Sequence, residues 1–268
     1  MSDDDDNWAG ADGAFFVLDG TALRPRMHAA SLWGAQLNGR SLSGLVAYAV
    51  ERDQPDPEFR VARMSIDMFR AVPLVPIQLT TTVVRDGHRI RVVDVAVTDT
   101  DGVVLGRGSV ALLRNLPAAT VAPSVTWDVA GPDALPEPSS RRPPWEVRSP
   151  RPGPNFGRGA WVREYFDLVE GSSTSPLVRT AMAADLANAV ANAADGRIGY
   201  INTDLQIHLE RLPTDEWTGV EAIAYGADEG VAWGSCDLHD RVGRIGHVSF
   251  SALADNRIVD SPDAPRGG

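Results

Sequence analysis

Apolar residues recur every four positions between Ser175 and Ala194, and this period predicts one continuous helix. The apolar stripe consists of Val178, Met182, Leu186 and Val190. Ser175 is a suitable N-cap and Pro176 a suitable first helical residue. Asp185 lies about 100° from Leu186 around this helix, at the edge of the stripe. A lone carboxylate in that position is paired, solvated or used chemically, and the pattern alone leaves these three readings open.

The first part of the chain is predicted to hold one helix and five strands. Asp86-Gly87 and Asp101-Gly102 are hairpin signals between strands. Residues 22–37 are expected to be irregular. The helix is predicted at 39–52, and the strands at 14–18, 63–70, 77–85, 90–98 and 103–114.

The same order of strand, helix and strands returns after a proline-rich stretch. A constant offset aligns Pro73 with Pro213 and Gly106 with Gly246. We therefore predict an α+β protein built from two repeats, each an antiparallel sheet wrapped around one long helix. The predicted segments are an acidic disordered start at 1–12, a first repeat at 13–115, a proline-rich linker at 116–154, a second repeat at 155–256 and a tail at 257–268.

Composition narrows the classes of function. The net charge of −11 argues against nucleic-acid binding. With one cysteine, Cys236, no internal disulfide can form, and no run of about 18 apolar residues suggests a membrane span. The chain is expected to be cytoplasmic. Its five histidines have no metal-ligand spacing, so neither a metal nor a cofactor is expected.

Five motifs, in order, resemble those of TesB-like (type II) acyl-CoA thioesterases. They are Trp33–Gly39, Arg63–Leu74, Val84–Ile90, Ala183–Asn188 and Tyr200–Leu209. The resemblance covers nearly the whole chain apart from the start, the linker and the tail. It implies a double hotdog fold, in which two hotdog units lie side by side with joined sheets, and it agrees with the repeat described above.

The resemblance also implies an activity and a site. The activity is hydrolysis of acyl-CoA by a water held between a helix Asp, a strand Thr, Ser or Asn, and a Gln near the last strand. In this chain the Asp is Asp185 and the strand residue is Asn202, with Thr203 beside it. The Gln position falls on Phe250, or on Ser251 if the last strand aligns one residue later. Neither residue is Gln.

Other residues are expected to surround the substrate. We expect substrate contacts from Gln36, Asn38, Gly39, Asn188, Ser249 and Phe250. A helix N-terminus supplies N–H groups for the thioester oxygen. The hydroxyls of Ser249 and Ser251 could partly replace the missing Gln. Alternation places these serines on one strand face and Phe250 on the other, so Phe250 faces away if the serines face the site.

The leading hypothesis is therefore an acyl-CoA thioesterase acting on medium or long chains. The rival hypothesis is a protein on the same scaffold that binds an acyl thioester or another apolar ligand with little turnover. A hydratase or dehydratase is the third alternative, although the chain lacks the Asp-x-x-x-x-His motif that is typical of such enzymes. Exposed sheet edges suggest a homodimer.

Overall fold

The computed structural model describes residues 13–31, 33–117, 125–136, 144–150, 157–194 and 197–260, without the side chains of 256–260. The predicted acidic start at 1–12, the linker residues 118–124, 137–143 and 151–154, and the tail residues 261–268 lie outside the described residues. The described α-helices are α1 (Gly39–Asp53), α2 (Pro176–Ala184) and α3 (Ala187–Asn192). The described strands are β1 (Ala14–Asp19), β2 (Ala22–Pro25), β3 (Ala30–Ser31), β4 (Gly34–Leu37), β5 (Phe59–Asp67), β6 (Ile77–Asp86), β7 (Ile90–Asp99), β8 (Val104–Arg114), β9 (Trp145–Arg148), β10 (Gly159–Glu164), β11 (Asp167–Val169), β12 (Arg197–Asn202), β13 (Asp204–Leu209), β14 (Trp217–Asp228), β15 (Val231–Asp240) and β16 (Gly243–Asp260).

One large sheet joins the two halves of the chain. Its order is β11-β1-β2-β6-β7-β8-β5-β13-β16-β15-β14-β10-β9, and β12 also pairs with β16. The halves meet where β5 and β13 run antiparallel, with Ser65 opposite Gln206 and Asp67 opposite Asp204. All pairings within this sheet are antiparallel except that of β1 with β11. The predicted α+β architecture of two antiparallel half-sheets, each wrapped around a helix, is confirmed.

The first helix lies where the sequence predicts it. Asn38 caps α1, because its side chain accepts a hydrogen bond from the Ser41 N–H at 2.8 Å. The apolar side of α1 is buried against β6, β7 and β8. A Cβ atom on Gly108 of β8 would lie 2.4 Å from Val46, so glycine allows helix and sheet to approach closely.

The second helix departs from the prediction, because it is broken at Asp185 and Leu186. α2 ends at Ala184, and Leu186 N–H turns back to Ala183 O at 3.0 Å, a bond of the 3₁₀ type. Both break residues keep right-handed helical dihedral angles, so the chain bends without reversing. The expected single helix over 175–194 is thus two short helices, and the break lies at the carboxylate.

Three further expectations change. Residues 22–37 were expected to be irregular but contain β2, β3 and β4. The region predicted as a linker contributes β9, which pairs with β10 and buries Glu146 and Arg148. Trp127, also from this region, packs where a Cβ on Gly159 would lie 2.5 Å from its ring. Strand β9 is thus part of the second half-sheet, and Trp127 packs against that sheet. The last strand, β16, continues to Asp260, beyond the predicted boundary at 256.

Candidate active site

A cavity of about 400 Å³ lies between the N-terminus of α1, the break between α2 and α3, and strand β12. The segment after β5 closes another side. Seven of the ten predicted site residues line this cavity: Gln36, Asn38, Gly39, Asp185, Asn188, Asn202 and Thr203. The two halves of the chain therefore build one site together.

Asp185 lines this cavity and lies against the first turn of α1. Its Oδ1 accepts a hydrogen bond from Asn202 Nδ2 at 2.8 Å. Its carboxylate also accepts a hydrogen bond from the backbone N–H of Arg40. A Cβ built on Gly39 would lie 2.3 Å from Asp185 Oδ1, so only glycine leaves room for the carboxylate here. The carboxylate is thus held by α1 and β12 rather than by its own helix.

The environment of Asp185 disfavours its charged form. Burial raises the pKa of Asp185 above the usual range for Asp, and this effect exceeds the opposing ones. The Asn202 hydrogen bond, the positive charge of Arg40 and the Arg40 N–H all favour the carboxylate and limit the rise. A carboxylate with a raised pKa is a stronger base, which is the property that proton abstraction from water requires.

Asn202 is positioned by the irregular join between β12 and β13. The chain leaves β12 after Asn202 and enters β13 at Asp204, and both strands pair with β16. At the join, Thr203 N–H donates to Ser251 O at 2.9 Å and Met68 N–H donates to Thr203 O at 2.8 Å. The Asn202 amide therefore points inward to Asp185, while Thr203 is exposed at the cavity rim.

Asn38 and Asn188 line the cavity, but their amides also support the fold. Asn38 Nδ2 donates to His28 O and Ala30 O at 3.4 and 3.3 Å, while its Oδ1 caps α1. Asn188 Nδ2 donates to Tyr200 O at 2.8 Å and ties α3 to β12. Much of their hydrogen-bonding capacity is used within the protein.

The three predicted residues of the last strand do not line the cavity. Phe250 is buried on the face of β16 that packs toward α3, with its ring over Gly234. Alternation then directs Ser249 and Ser251 to the outer face, where Ser251 is exposed. The expectation that these serines face the site differs from the structure, because the inner face of β16 is apolar.

Among the cavity residues that sequence reasoning missed are Arg40 and Trp145. Arg40 is 4% exposed although a charged residue in a first helical turn usually faces solvent. A cation near a helix N-terminus also interacts unfavourably with the helix dipole. This unfavourable position was the one sequence signal that could have indicated a special role for Arg40. Trp145 belongs to the proline-rich region, where no element was predicted, yet it lines the cavity.

Cys236 is remote from this chemistry. Its thiol is buried in β15 and lies 3.8 Å from Ala187 O, and burial raises its pKa far above the usual value. Within the described ranges, no group of three or more His, Cys, Asp or Glu side chains is arranged to hold a metal ion. None of the described helices is long and apolar enough to cross a membrane.

Solved structures with the same architecture define the class of the fold as the double hotdog. A hot dog fold protein from Alicyclobacillus acidocaldarius is 11% identical, with a TM-score of 0.66 over 92% of this chain and 97% of that one. Acyl-CoA thioesterase II TesB2 from Mycobacterium marinum is 18% identical, with a TM-score of 0.62 over 81% and 90%. The tesB protein of Mycobacterium avium subspecies paratuberculosis is 12% identical, with a TM-score of 0.63 over 82% and 88%.

Sequence models of one family match both halves of the chain. The acyl-CoA thioesterase N-terminal domain matches residues 29–113, and the acyl-CoA thioesterase C-terminal domain matches residues 117–248. The chain therefore belongs to the TesB-like acyl-CoA thioesterase family, as the five motifs predicted. A search of curated protein sequences gives no significant match.

Proposed function

We propose that this protein hydrolyses medium- or long-chain acyl-CoA to a carboxylic acid and CoA, with Asp185 as the base that activates water. One observation carries the proposal. The Asp185 carboxylate is held between Asn202 and the N-terminus of α1 and lines a cavity of about 400 Å³. The proposal is supported by this combination of a carboxylate, an amide and a helix N-terminus, because thioester hydrolysis needs a base, a group that holds the water and donors for the oxyanion.

The proposed reaction begins with a water that donates a hydrogen bond to the Asp185 carboxylate. The carboxylate keeps lone pairs for this water after it accepts the hydrogen bonds of Asn202 and Arg40. The Asn202 Oδ1 can accept the second O–H of the same water. Asp185 takes a proton as the water oxygen attacks the thioester carbon, and the carbonyl oxygen becomes an oxyanion.

The first turn of α1 is the proposed oxyanion site. The first N–H groups of a helix have no partner within it. In the described part of the chain, the Ser41 N–H donates to Asn38 and the Arg40 N–H donates to Asp185. The Gly39 N–H is therefore the donor proposed for the thioester oxygen. The C–S bond then breaks, and protonated Asp185 returns its proton to the CoA thiolate. Water and thioester thus give acid and thiol, without an acyl-enzyme.

A second candidate function rests on the last strand. Phe250 or Ser251 occupies the position where the family resemblance implies Gln, and neither lines the cavity. The water therefore loses one orienting partner, and loss of one such group costs about 10²-fold or more in rate. The second candidate is accordingly a protein that binds an acyl thioester or other apolar ligand with little turnover.

The experiment that separates the two candidates is a thiol-release assay across acyl-CoA chain lengths. We expect wild-type turnover and a loss of about 10²-fold or more in Asp185→Asn, since general-base catalysis contributes on that scale. Asp94→Asn is the matched control, because Asp94 is exposed on β7 outside the cavity. Equal background release by the wild type and Asp185→Asn would refute hydrolysis, and acyl-CoA binding by such a protein would support the second candidate.

A further inference from the structure

The cavity that holds the Asp185 carboxylate also contains a buried cation, Arg40. Arg40 follows Gly39 in the first turn of α1, lines the same cavity and is 4% exposed. Its backbone N–H donates to Asp185, and its positive charge acts on that carboxylate. Burial lowers the pKa of Arg40 to about 9, so the guanidinium remains protonated at neutral pH.

Two residues from the second half of the chain hold the Arg40 side chain. Glu164 of β10 pairs with Arg40 Nη2, and the Glu164 side chain is 3% exposed. The Trp145 ring of β9 stacks on the guanidinium, with 3.8 Å between the Arg40 Cζ atom and the ring centroid. Trp145 and Glu164 are register partners in the sheet, so β9 and β10 present them together.

The ion pair leaves part of the Arg40 charge uncompensated by direct hydrogen bonds. Within the described residues, Arg40 Nε and Nη1 are buried without a hydrogen-bond partner, and so is Glu164 Oε2. An ion pair with a purely structural role would be more stable in the bidentate geometry that Arg and carboxylates favour. Arg40 and Glu164 instead form only one direct hydrogen bond, and a second carboxylate, Asp185, lines the same cavity.

We propose that Arg40 is a positioning residue that stabilises the Asp185 carboxylate, and that Glu164 limits how much of the Arg40 charge acts on it. This inference rests on the proposed role of Asp185 as the base. The other charged groups that line the cavity are Arg70, in the segment after β5, and Asp255 of β16. On this view Asp185, Arg40 and Glu164 act together as one group of charges. Arg40, in the first turn of α1, interacts with both carboxylates.

Opposite effects of Arg40 and Glu164 follow from this arrangement. Loss of the cation removes an interaction that favours ionised Asp185, so its pKa should rise. Loss of the Glu164 charge removes a nearby negative charge and frees the guanidinium to act on Asp185, so the pKa of Asp185 should fall. A purely structural ion pair predicts no such opposition, because breaking it from either side leaves one buried charge unpaired.

The test is a titration of Asp185 in the full-length chain, followed by NMR of isotope-labelled aspartate and assigned with Asp185→Asn. We expect Arg40→Met to raise the midpoint by about one pH unit and Glu164→Gln to lower it. Arg40→Lys keeps the charge and should restore most of the wild-type midpoint. If Arg40→Met does not fold, the double variant Arg40→Met/Glu164→Gln, which leaves neither charge unpaired, should still raise it.

Kinetics provide the second readout. The acid limb of kcat/KM should move in the same directions as the titration midpoint, while Arg114→Met, which removes a cation from an exposed pair with Glu58, should leave both unchanged. Midpoints that stay constant, or that move together in Arg40→Met and Glu164→Gln, would overturn the inference. Opposite shifts in a protein without hydrolase activity would support the charge coupling while refuting the proposed function.

Discussion

Replacement of Gly39 by alanine is the most direct test of the site geometry. An added Cβ would lie 2.3 Å from Asp185 Oδ1, 2.8 Å from its Cγ and 2.9 Å from its Oδ2. The backbone of Gly39 does not require glycine, because this is the first residue of α1 and alanine is the better helix former. The substitution therefore acts on the carboxylate and leaves the helix intact.

The size of the effect follows from these distances. Ordinary contact begins near 3.4 Å, so the carboxylate must move by about 1 Å or leave Asn202. A misplacement of about 1 Å in a catalytic group costs about 10²-fold in rate. The free energy of unfolding should change by less than about 1 kcal/mol, since the gain in helix propensity offsets local crowding.

Thiol release gives kcat/KM for Gly39→Ala, and thermal unfolding gives its stability. Gly131→Ala is the matched control, because an added Cβ there contacts nothing within 4 Å. We expect the control to match the wild type in both measurements. Full activity in a normally folded Gly39→Ala protein would show that Asp185 does not act from this position.

Three further outcomes are expected. The kcat/KM of the wild type should fall at acid pH, with a midpoint above the value of about 3.9 for free Asp, because burial raises the pKa of Asp185. The pH profile of Asp185→Asn should lack this decrease at acid pH. Asp240→Asn should lower the free energy of unfolding by about 2 kcal/mol at neutral pH, since Asp240 is buried and takes both Nη groups of Arg211. Those hydrogen bonds outweigh burial and lower the pKa of Asp240, so denaturant titrations should show the wild-type advantage shrinking below about pH 4. Iodoacetamide should leave native activity unchanged, because Cys236 is buried with a raised pKa; rapid inactivation that Cys236→Ser abolishes would contradict this.

The sequence predicted most elements because their signals are local. Alternation and the two Asp-Gly turns placed the hairpins of the first half-sheet, and β6 and β7 lie within one residue of expectation. The helix predicted at 39–52 likewise agrees with α1 to within one residue. The break at Asp185 could not be predicted in this way, because the stretch contains neither glycine nor an internal proline.

The orientation of the side chains on the last strand, β16, likewise could not be predicted from the local pattern. Alternation separated Phe250 from the two serines, but it did not say which side faces the helix. Gly234 and Ala191 leave the space that the Phe250 ring fills, and both are distant in sequence. Neither Phe250 nor Ser251, the two residues that can occupy the Gln position implied by the family resemblance, lines the cavity, and only the packing of the sheet could show this.

The sequence by itself determined the repeat, the α+β class, the family and the one carboxylate worth testing, because these depend on periodicity and motifs within each half. The tertiary structure decided how the halves meet. It placed Gly39 of one half against Asp185 of the other, and it buried Arg40 in the same cavity, paired with Glu164. Contacts between distant segments depend on how the two helices and the joined sheet pack, and no local pattern encodes that packing.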